Sequence, residues 1–392
     1  MTQREFFGAG AVDYLAEVLD DFHARSVFVV AGRRSYQASG AQASVAAILG
    51  ARPTYLFTDF EVNPKLGDVQ NGVATFRAAP PDAILAVGGG SALDMAKLIN
   101  CYQANSVRAD AVLPETAIRR RGVPLVAIPT TAGSGSEATP FAVVYVGSTK
   151  HSVDHSSLLP DVALVDPTLT HSLSPYMTAV TGLDAFSQAV ESYWSVHSTA
   201  ASRSLAAQAV AIAWRALPEA VHAPTDDARR RMSRASNLAG KAIAITRTTG
   251  PHALSYALTA HYGVPHGHAV ALFLPYFFRY NLEVSADDCT DPRGAGHVHG
   301  VVAELCRMLD APAAPEIQAV VQRFVGSLGV ETRFAPLHVS PDALAGLLDE
   351  VNQERLQNNP RAFDKKRFHD LVATSRPAEG GLSRLPDAAG QA

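Results

Sequence analysis

The chain has 392 residues, 47% of them hydrophobic and 18% charged, which gives ample material for a core and excludes disorder as the main state. With 33 Lys and Arg against 37 Asp and Glu the formal charge is −4, and no long basic run marks nucleic acid or an anionic membrane as a partner. Its apolar stretches fall well short of the roughly 18 residues of a membrane span, and the first residues lack the apolar core of a signal peptide. Cys101, Cys289 and Cys306 are widely spaced and form no CxxC motif, so a reduced, cytoplasmic setting with packing thiols is expected.

The first half alternates. Val12, Leu15, Val18, Leu19 and Phe22 recur at helical spacing, and Ser26–Ala31 is an apolar strand closed by Gly32. Pro53–Phe57 reads as a second strand, Val69, Val73 and Phe76 as a helix, and Asp82–Val87 as a strand ended by three glycines. Pro124–Ile128 and Val162–Val165 are further strands. Strands and helices in this rhythm predict a mainly parallel sheet covered on both faces. Past residue 176 long amphipathic patterns take over: Thr178–Ser195, Ser202–Val221, Asp227–Ile245, Val301–Leu309 and Pro315–Leu328. We therefore expect an α/β domain over residues 1–180 and a helical domain over 181–392. Asp287–His299 reads as an exposed polar loop, and the tail from Arg376 as poorly ordered.

Gly88-Gly89-Gly90-Ser91 lies between a predicted strand and a predicted helix, where backbone N–H groups can meet a phosphate. It is neither GxGxxG nor a Walker A loop. A second small-residue turn, Pro129-Thr130-Thr131-Ala132-Gly133-Ser134-Gly135-Ser136-Glu137, also follows a strand. In an open α/β sheet ligands sit at the carboxyl ends of strands, so two such turns can hold a dinucleotide.

The chain holds 14 His, which prompts a search for metal ligands. Asp184 and Gln188 share a face of one predicted helix, and His252 and His266 follow in Gly-Pro-His-Ala and Pro-His-Gly-His contexts. Asp184, His252 and His266 make a two-His, one-carboxylate set with an open position, as a metal that polarises a carbonyl requires. His297 and His299, a His-x-His in the polar loop, read as solvated.

Together these segments resemble the iron-containing, or group III, alcohol dehydrogenases. The match includes Asn63-Pro64, the glycine segment at 88–94, the turn at 129–137, Leu159-Pro160-Asp161, Asp166-Pro167, Gly182-Leu183-Asp184-Ala185 and Pro265-His266-Gly267. The resemblance implies an α/β nucleotide-binding domain followed by an all-α domain, the dehydroquinate synthase-like fold, with a metal in the cleft between them. It implies cofactor contacts from Gly89, Gly90, Ser91 and Asp94, and from Thr130, Thr131, Ser136 and Lys150 along the nicotinamide half. It makes Asp184, His252 and His266 ligands of Fe²⁺ or Zn²⁺. The family's fourth ligand, a His, is here Gln188, either a weak fourth ligand or a bystander to a site completed by water. A further family His is replaced by Tyr256, so proton exchange passes to Tyr256, His268 or water. A homodimer is the family's usual assembly.

NAD-specific members carry an Asp at the end of the first long strand. Here Gly32 stands there, followed by Arg33 and Arg34. Losing a carboxylate and gaining a guanidinium favours the 2′-phosphate of NADPH, with NADH still possible if the arginines face solvent. The segments 188–195 and 241–256 are similar to the phosphonoacetaldehyde reductase branch, which makes 2-hydroxyethylphosphonate. Arg247, Thr248 and Thr249 precede His252 and are the expected phosphonate contacts, with 352–355 and 358–361 placed to close over them. The expected reaction is hydride transfer between nicotinamide C4 and a small aldehyde. The alternatives are a group III enzyme for a neutral alcohol, polyol or keto acid, and a non-catalytic NADP-binding protein. Asp184 counts against a maleylacetate reductase-like enzyme, and the sparse basic residues count against a phosphate-eliminating cyclase.

Overall fold

A computed structural model of the chain describes residues 3–105, 112–147, 149–351 and 353–375. Asn352 and the tail from Arg376 therefore lie outside the described residues. Two compact units are present, Met1–Leu173 and Ser174–Ala392.

The first unit contains β1 (Arg4–Phe7), β2 (Val27–Ala31), β3 (Thr54–Phe57), β4 (Ala83–Gly88), β5 (Leu125–Pro129), β6 (Phe141–Val146), β7 (Thr149–Asp154) and β8 (Val162–Val165). Its helices are α1 (Leu15–Asp21), α2 (Ser35–Ala38), α3 (Ala41–Leu49), α4 (Leu66–Ala78) and α5 (Gly90–Asn105). Six strands form a sheet in the order β1-β8-β5-β4-β2-β3, every pair parallel. Alternation along the strands covers both faces. Phe28, Val30, Ile84 and Ala86 join the core with α4 and α5, while Val27, Val29, Leu85 and Val87 join that with α1 and α3. β6 and β7 form a separate antiparallel hairpin. This hairpin and the four-residue edge strand β1 were not anticipated from the sequence.

The order of strands places the ligand edge. From β2 the chain steps outward to β3 and then returns across β2 to β4. Such a reversal opens a crevice at the carboxyl ends of the strands. Gly32 follows β2 and the glycine cluster follows β4, so both turns lie at that reversal.

The second unit is helical: α6 (Pro175–Trp194), α7 (Ala200–His222), α8 (Asp226–Thr246), α9 (Gly250–Tyr262), α10 (His266–Leu282), α11 (Ala295–Met308), α12 (Ile317–Ser327), α13 (Pro341–Asp349), α14 (Gln353–Leu356) and α15 (Lys365–Thr374). Caps set the starts of the long helices. Ser174 accepts from Met177 N, Thr225 accepts from Ala228 N, and Thr199 and Ser202 form a reciprocal box. No helix among the described residues is long and apolar enough to cross a membrane.

The expected exposed loop at 287–299 is corrected in its second half. Residues from Ala295 onward are the first turns of α11, and Val298 is buried. Gly294, Gly296 and Gly300 weaken helix propensity there and hide the start of the pattern that runs through Val301, Val302 and Leu305. His299 is not merely solvated, since its Nε2 lies 3.0 Å from the Val284 carbonyl oxygen. All three cysteines are free, and burial pushes the Cys101 thiol up to about 12, which makes it inert.

Candidate active site

In the first unit the two small-residue turns form neighbouring walls. Gly88 at the end of β4 pairs with Pro129 at the end of β5, and Thr130 N donates to the Gly88 carbonyl at 3.0 Å. Gly88 has φ of +146°, where a side chain would be strained, and an added Cβ would lie 2.9 Å from Ala92 Cβ. A Cβ on Gly90 would lie 2.7 Å from Ser134 Oγ, so the first turn presses against the second. Ser91 Oγ accepts from Asn63 N at 3.1 Å, which ties the Asn63-Pro64 motif to the same turn.

Asp94 and Ser136 are brought together, but against each other. Ser136 Oγ donates to Asp94 Oδ1 at 2.6 Å, and Val143 N donates to Asp94 Oδ2 at 2.9 Å. These side chains brace the second turn, one of the two turns expected to meet the cofactor. A residue the sequence reading missed completes the brace. Lys97 is wholly buried, and its Nζ lies 2.6–3.0 Å from the carbonyl and hydroxyl oxygens of Ser136 and Thr139 and from the Phe141 carbonyl. Burial lowers its pKa to about 8 against the pull of Asp94 and Glu137. Lys97 follows Asp94 by one turn of α5, and an isolated Lys amid apolar residues was the available signal. Thr131 lies beside Gly89, and Lys150 sits on β7 opposite Tyr145. Arg33 pairs with Asp59 at 2.9 Å, with both side chains largely exposed.

In the second unit α6, α9 and α10 converge. Asp184, Gln188 and Glu191 form one stripe of α6, and all three are buried. His252 belongs to the first turn of α9, and His266 opens α10. Asp184 Oδ1 lies 3.2 Å from His252 Nε2 and 3.9 Å from His266 Nε2. Ligand atoms of the three residues all fall within 4.8 Å of one another. The glycine of Pro-His-Gly-His permits this approach. A Cβ on Gly267 would stand 1.9 Å from the Val180 carbonyl oxygen and 3.1 Å from Asp184 Cβ.

The His252 ring lies between two carboxylates, with Nδ1 hydrogen-bonded to Glu191 and Nε2 facing Asp184. Burial alone would disfavour its charged form, but the Glu191 and Asp184 carboxylates outweigh it and raise the imidazole to about 10. Glu191 was missed as a site residue. Its signal was an acid two turns beyond Asp184 on a helix otherwise buried all round.

The remaining candidates separate. Tyr256 stacks on His266, with ring centroids 6.0 Å apart and planes 24° apart, so it lies beside the cluster. His268 faces elsewhere: Nε2 lies 2.8 Å from the Glu331 carbonyl oxygen and Nδ1 lies 3.2 Å from the Tyr176 hydroxyl. Both ring nitrogens are thus committed to structural contacts, and burial holds the imidazole below its ordinary pKa. Arg247 has φ of 60° and ψ of 177°, a region that only glycine adopts readily. Its Nη1 donates to the Ala244 carbonyl at 2.6 Å and to the Ile243 carbonyl at 3.3 Å, capping α8. Thr248 and Thr249 are buried, and Asn358 Nδ2 donates to the Thr248 carbonyl at 2.9 Å. Asn359 pairs with Asn281, and Arg361 with Asp288 and the Tyr280 carbonyl, so this segment braces the 246–249 turn.

Comparison with known proteins matches this architecture. The family model for iron-containing alcohol dehydrogenase covers residues 2–167, and that for the C-terminal part of the Fe-containing alcohol dehydrogenase family covers 178–375. The chain belongs to the iron-containing alcohol dehydrogenase family. Long-chain-alcohol dehydrogenase 1 of Geobacillus thermodenitrificans is 36% identical over 77% of this chain and 76% of its own length. A phosphonoacetaldehyde reductase of Streptomyces viridochromogenes is 37% identical over 76% of each chain. The solved sulfoacetaldehyde reductase from Bifidobacterium kashiwanohense, in complex with NAD+, superposes with a TM-score of 0.82 at 28% identity, covering 95% of this chain and 98% of that one. The protein is an enzyme of the alcohol dehydrogenase and aldehyde reductase type, and its family implies a divalent metal and NAD(P). The second unit fits such an ion: Asp184, His252 and His266 supply one carboxylate and two imidazoles, and Gln188 Oε1 on the same stripe is buried with no hydrogen-bond partner.

Proposed function

We propose that the protein reduces phosphonoacetaldehyde to 2-hydroxyethylphosphonate with NADPH. The observation that carries this reading is the Arg247-Thr248-Thr249 turn, held in a strained conformation and leading straight into α9 and His252. A strained cationic turn beside a ligand cluster is where a phosphonate can be fixed while its aldehyde reaches the reacting centre. The names of two similar proteins support the substrate class, since both are reductases of a two-carbon aldehyde bearing an anion. A second reading, oxidation of a neutral long-chain alcohol, is favoured by a relative of almost the same identity.

Asp184, His252 and His266 would hold the divalent ion, with Gln188 Oε1 as a weaker fourth donor. When bound, such an ion supplies Lewis-acid stabilisation of the charge that develops on the carbonyl oxygen. Tyr256, stacked on His266, is the residue placed to exchange the hydroxyl proton. We assign that role to Tyr256 ahead of His268, whose ring nitrogens lie beside the Tyr176 hydroxyl and the Glu331 carbonyl oxygen. The backbone of Gly89, Gly90 and Ser91 and the turn at Thr130 and Thr131 would cradle the cofactor, with Asp94, Lys97 and Ser136 holding the second turn in shape. The proposed assembly is a homodimer, to be checked by light scattering.

Purified protein should consume NADPH with phosphonoacetaldehyde at a kcat/KM at least about tenfold above that for an uncharged aldehyde of similar size. Arg247→Gly relieves the backbone strain, so it should fold as well as the parent while raising KM for the phosphonate alone. Comparable turnover of the neutral aldehyde, or an Arg247→Gly enzyme with parental KM, reduces Arg247 to a helix cap.

We infer that cofactor choice is set at the end of β2. The exposed Arg33–Asp59 pair is worth little, which leaves Arg33 able to exchange its partner for a 2′-phosphate. A Cβ on Gly32 would crowd the rotatable Ser35 hydroxyl, at 2.3 Å, and lie in ordinary contact with Ser35 Cβ at 3.7 Å, so an aspartate can be accommodated there once that hydroxyl turns away. Gly32→Asp should shift the NADPH to NADH preference by about tenfold or more toward NADH. An unchanged ratio of kcat/KM values refutes the role of Arg33.

A further inference from the structure

We infer that Glu191 is a positioning residue that fixes the tautomer of His252 and locks the 246–249 turn to the ligand cluster through a single carboxylate; this rests on the metal reading above. Glu191 is fully buried on α6. Its Oε1 accepts from Thr249 N at 2.8 Å, Thr249 Oγ1 at 3.0 Å and His252 N at 3.3 Å. Its Oε2 is hydrogen-bonded to His252 Nδ1. Trp194 Nε1, on the next turn of α6, donates to Thr249 Oγ1 at 2.9 Å and so directs the Thr249 hydroxyl proton toward Glu191.

Two consequences follow from donor and acceptor counting. Thr249 occupies the N-cap position of α9, yet its own side chain caps nothing. The open N–H groups of Thr249 and His252 are satisfied instead by Glu191 from another helix, at the positive end of the α9 dipole. Glu191 Oε2 is an acceptor for the Nδ1 proton, so when an ion occupies the cluster it is Nε2, the nitrogen that faces Asp184, that is left to give up its proton and supply a lone pair. That is the tautomer a ligand histidine needs, and an outer carboxylate on the far nitrogen also raises its basicity. The same group therefore aims the histidine and anchors the turn that precedes it.

Glu191→Gln is the discriminating variant because it keeps size and shape. Its amide oxygen is claimed by the three donors from Thr249 and His252, which leaves the NH₂ facing Nδ1. The neutral imidazole must then accept at Nδ1 and carry its proton on Nε2, the wrong atom for a ligand. Zn²⁺ and Co²⁺ affinities of metal-stripped full-length protein, measured by chelator competition, should fall about 10- to 100-fold in Glu191→Gln. Melting of the metal-free variant should fall below the parent's, because buried His252 loses its carboxylate partner, so affinities are compared at a temperature where both proteins are fully folded. Glu191→Asp, which can only accept, should recover part of the affinity. Nitrogen NMR of the Zn²⁺-loaded parent should show the His252 proton on Nδ1, a readout that does not depend on any variant folding. Parental affinity in Glu191→Gln, or a proton on Nε2 in the loaded parent, overturns the inference. A parent that binds neither ion instead fails the metal reading, and this inference with it.

Discussion

Replacing Asp184 or His266 by alanine is expected to lower kcat/KM for aldehyde reduction by about a thousandfold or more, with NADPH affinity changed by less than about twofold. The asymmetry comes from where each function is built. Asp184 Oδ1 is the atom that both histidines approach, at 3.2 and 3.9 Å, so replacing Asp184 takes away the one carboxylate of the three-residue cluster. His266→Ala leaves the Asp184 and His252 pair but opens the cluster at the ring on which Tyr256 stacks. The small-residue turns after β4 and β5 share no element with α6, α9 or α10, so nicotinamide fluorescence should titrate as in the parent. Metal content of the parent separates a catalyst from an NADP-binding module, which has no need to retain a divalent ion. Full activity of either variant after metal stripping would remove the metal from the mechanism.

Local signals carried much of the fold. The apolar strands of the parallel sheet read plainly because both of their faces are covered. Strand β1 did not, because a four-residue edge carries too short a pattern. The start of α11 was lost to three glycines. At the site, Asp184, His252 and His266 were legible through their motifs, and the structure brings them together. Glu191 and Lys97 were not, because each acts by wrapping backbone groups contributed by distant segments. A spacing rule sees the stripe of α6 but not the Thr249 and His252 N–H groups that meet it. Asp94, Ser136 and His268 carry contacts that their motifs did not announce, since each is also hydrogen-bonded to a neighbour within the fold.

Gly267→Ala should damage the site from outside the ligand set. The added methyl would stand 1.9 Å from the Val180 carbonyl oxygen, a backbone atom in the second turn of α6 that has no rotamer to change. Relief requires the first turn of α10 to move away from α6, and His266, the residue before, moves with it. A shift of this kind in a packed interface costs about 1–3 kcal/mol. For a unit of this size that lowers Tm by about 2–4 °C per kcal/mol. Divalent-ion affinity should drop by about tenfold or more, because a ligand displaced from its geometry loses much of its contribution. Gly182→Ala is the internal control. Gly182 is on α6, two residues before Asp184, but its methyl would meet Leu217 Cδ1 at 2.3 Å and Met232 Cε at 3.1 Å, ends of rotatable side chains on α7 and α8 rather than on α9 or α10. That variant should lose stability while keeping metal affinity near the parent's. A Gly267→Ala protein that binds Zn²⁺ as tightly as the parent would show that the close approach of α10 to α6 is not what sets the separation of His266 from Asp184.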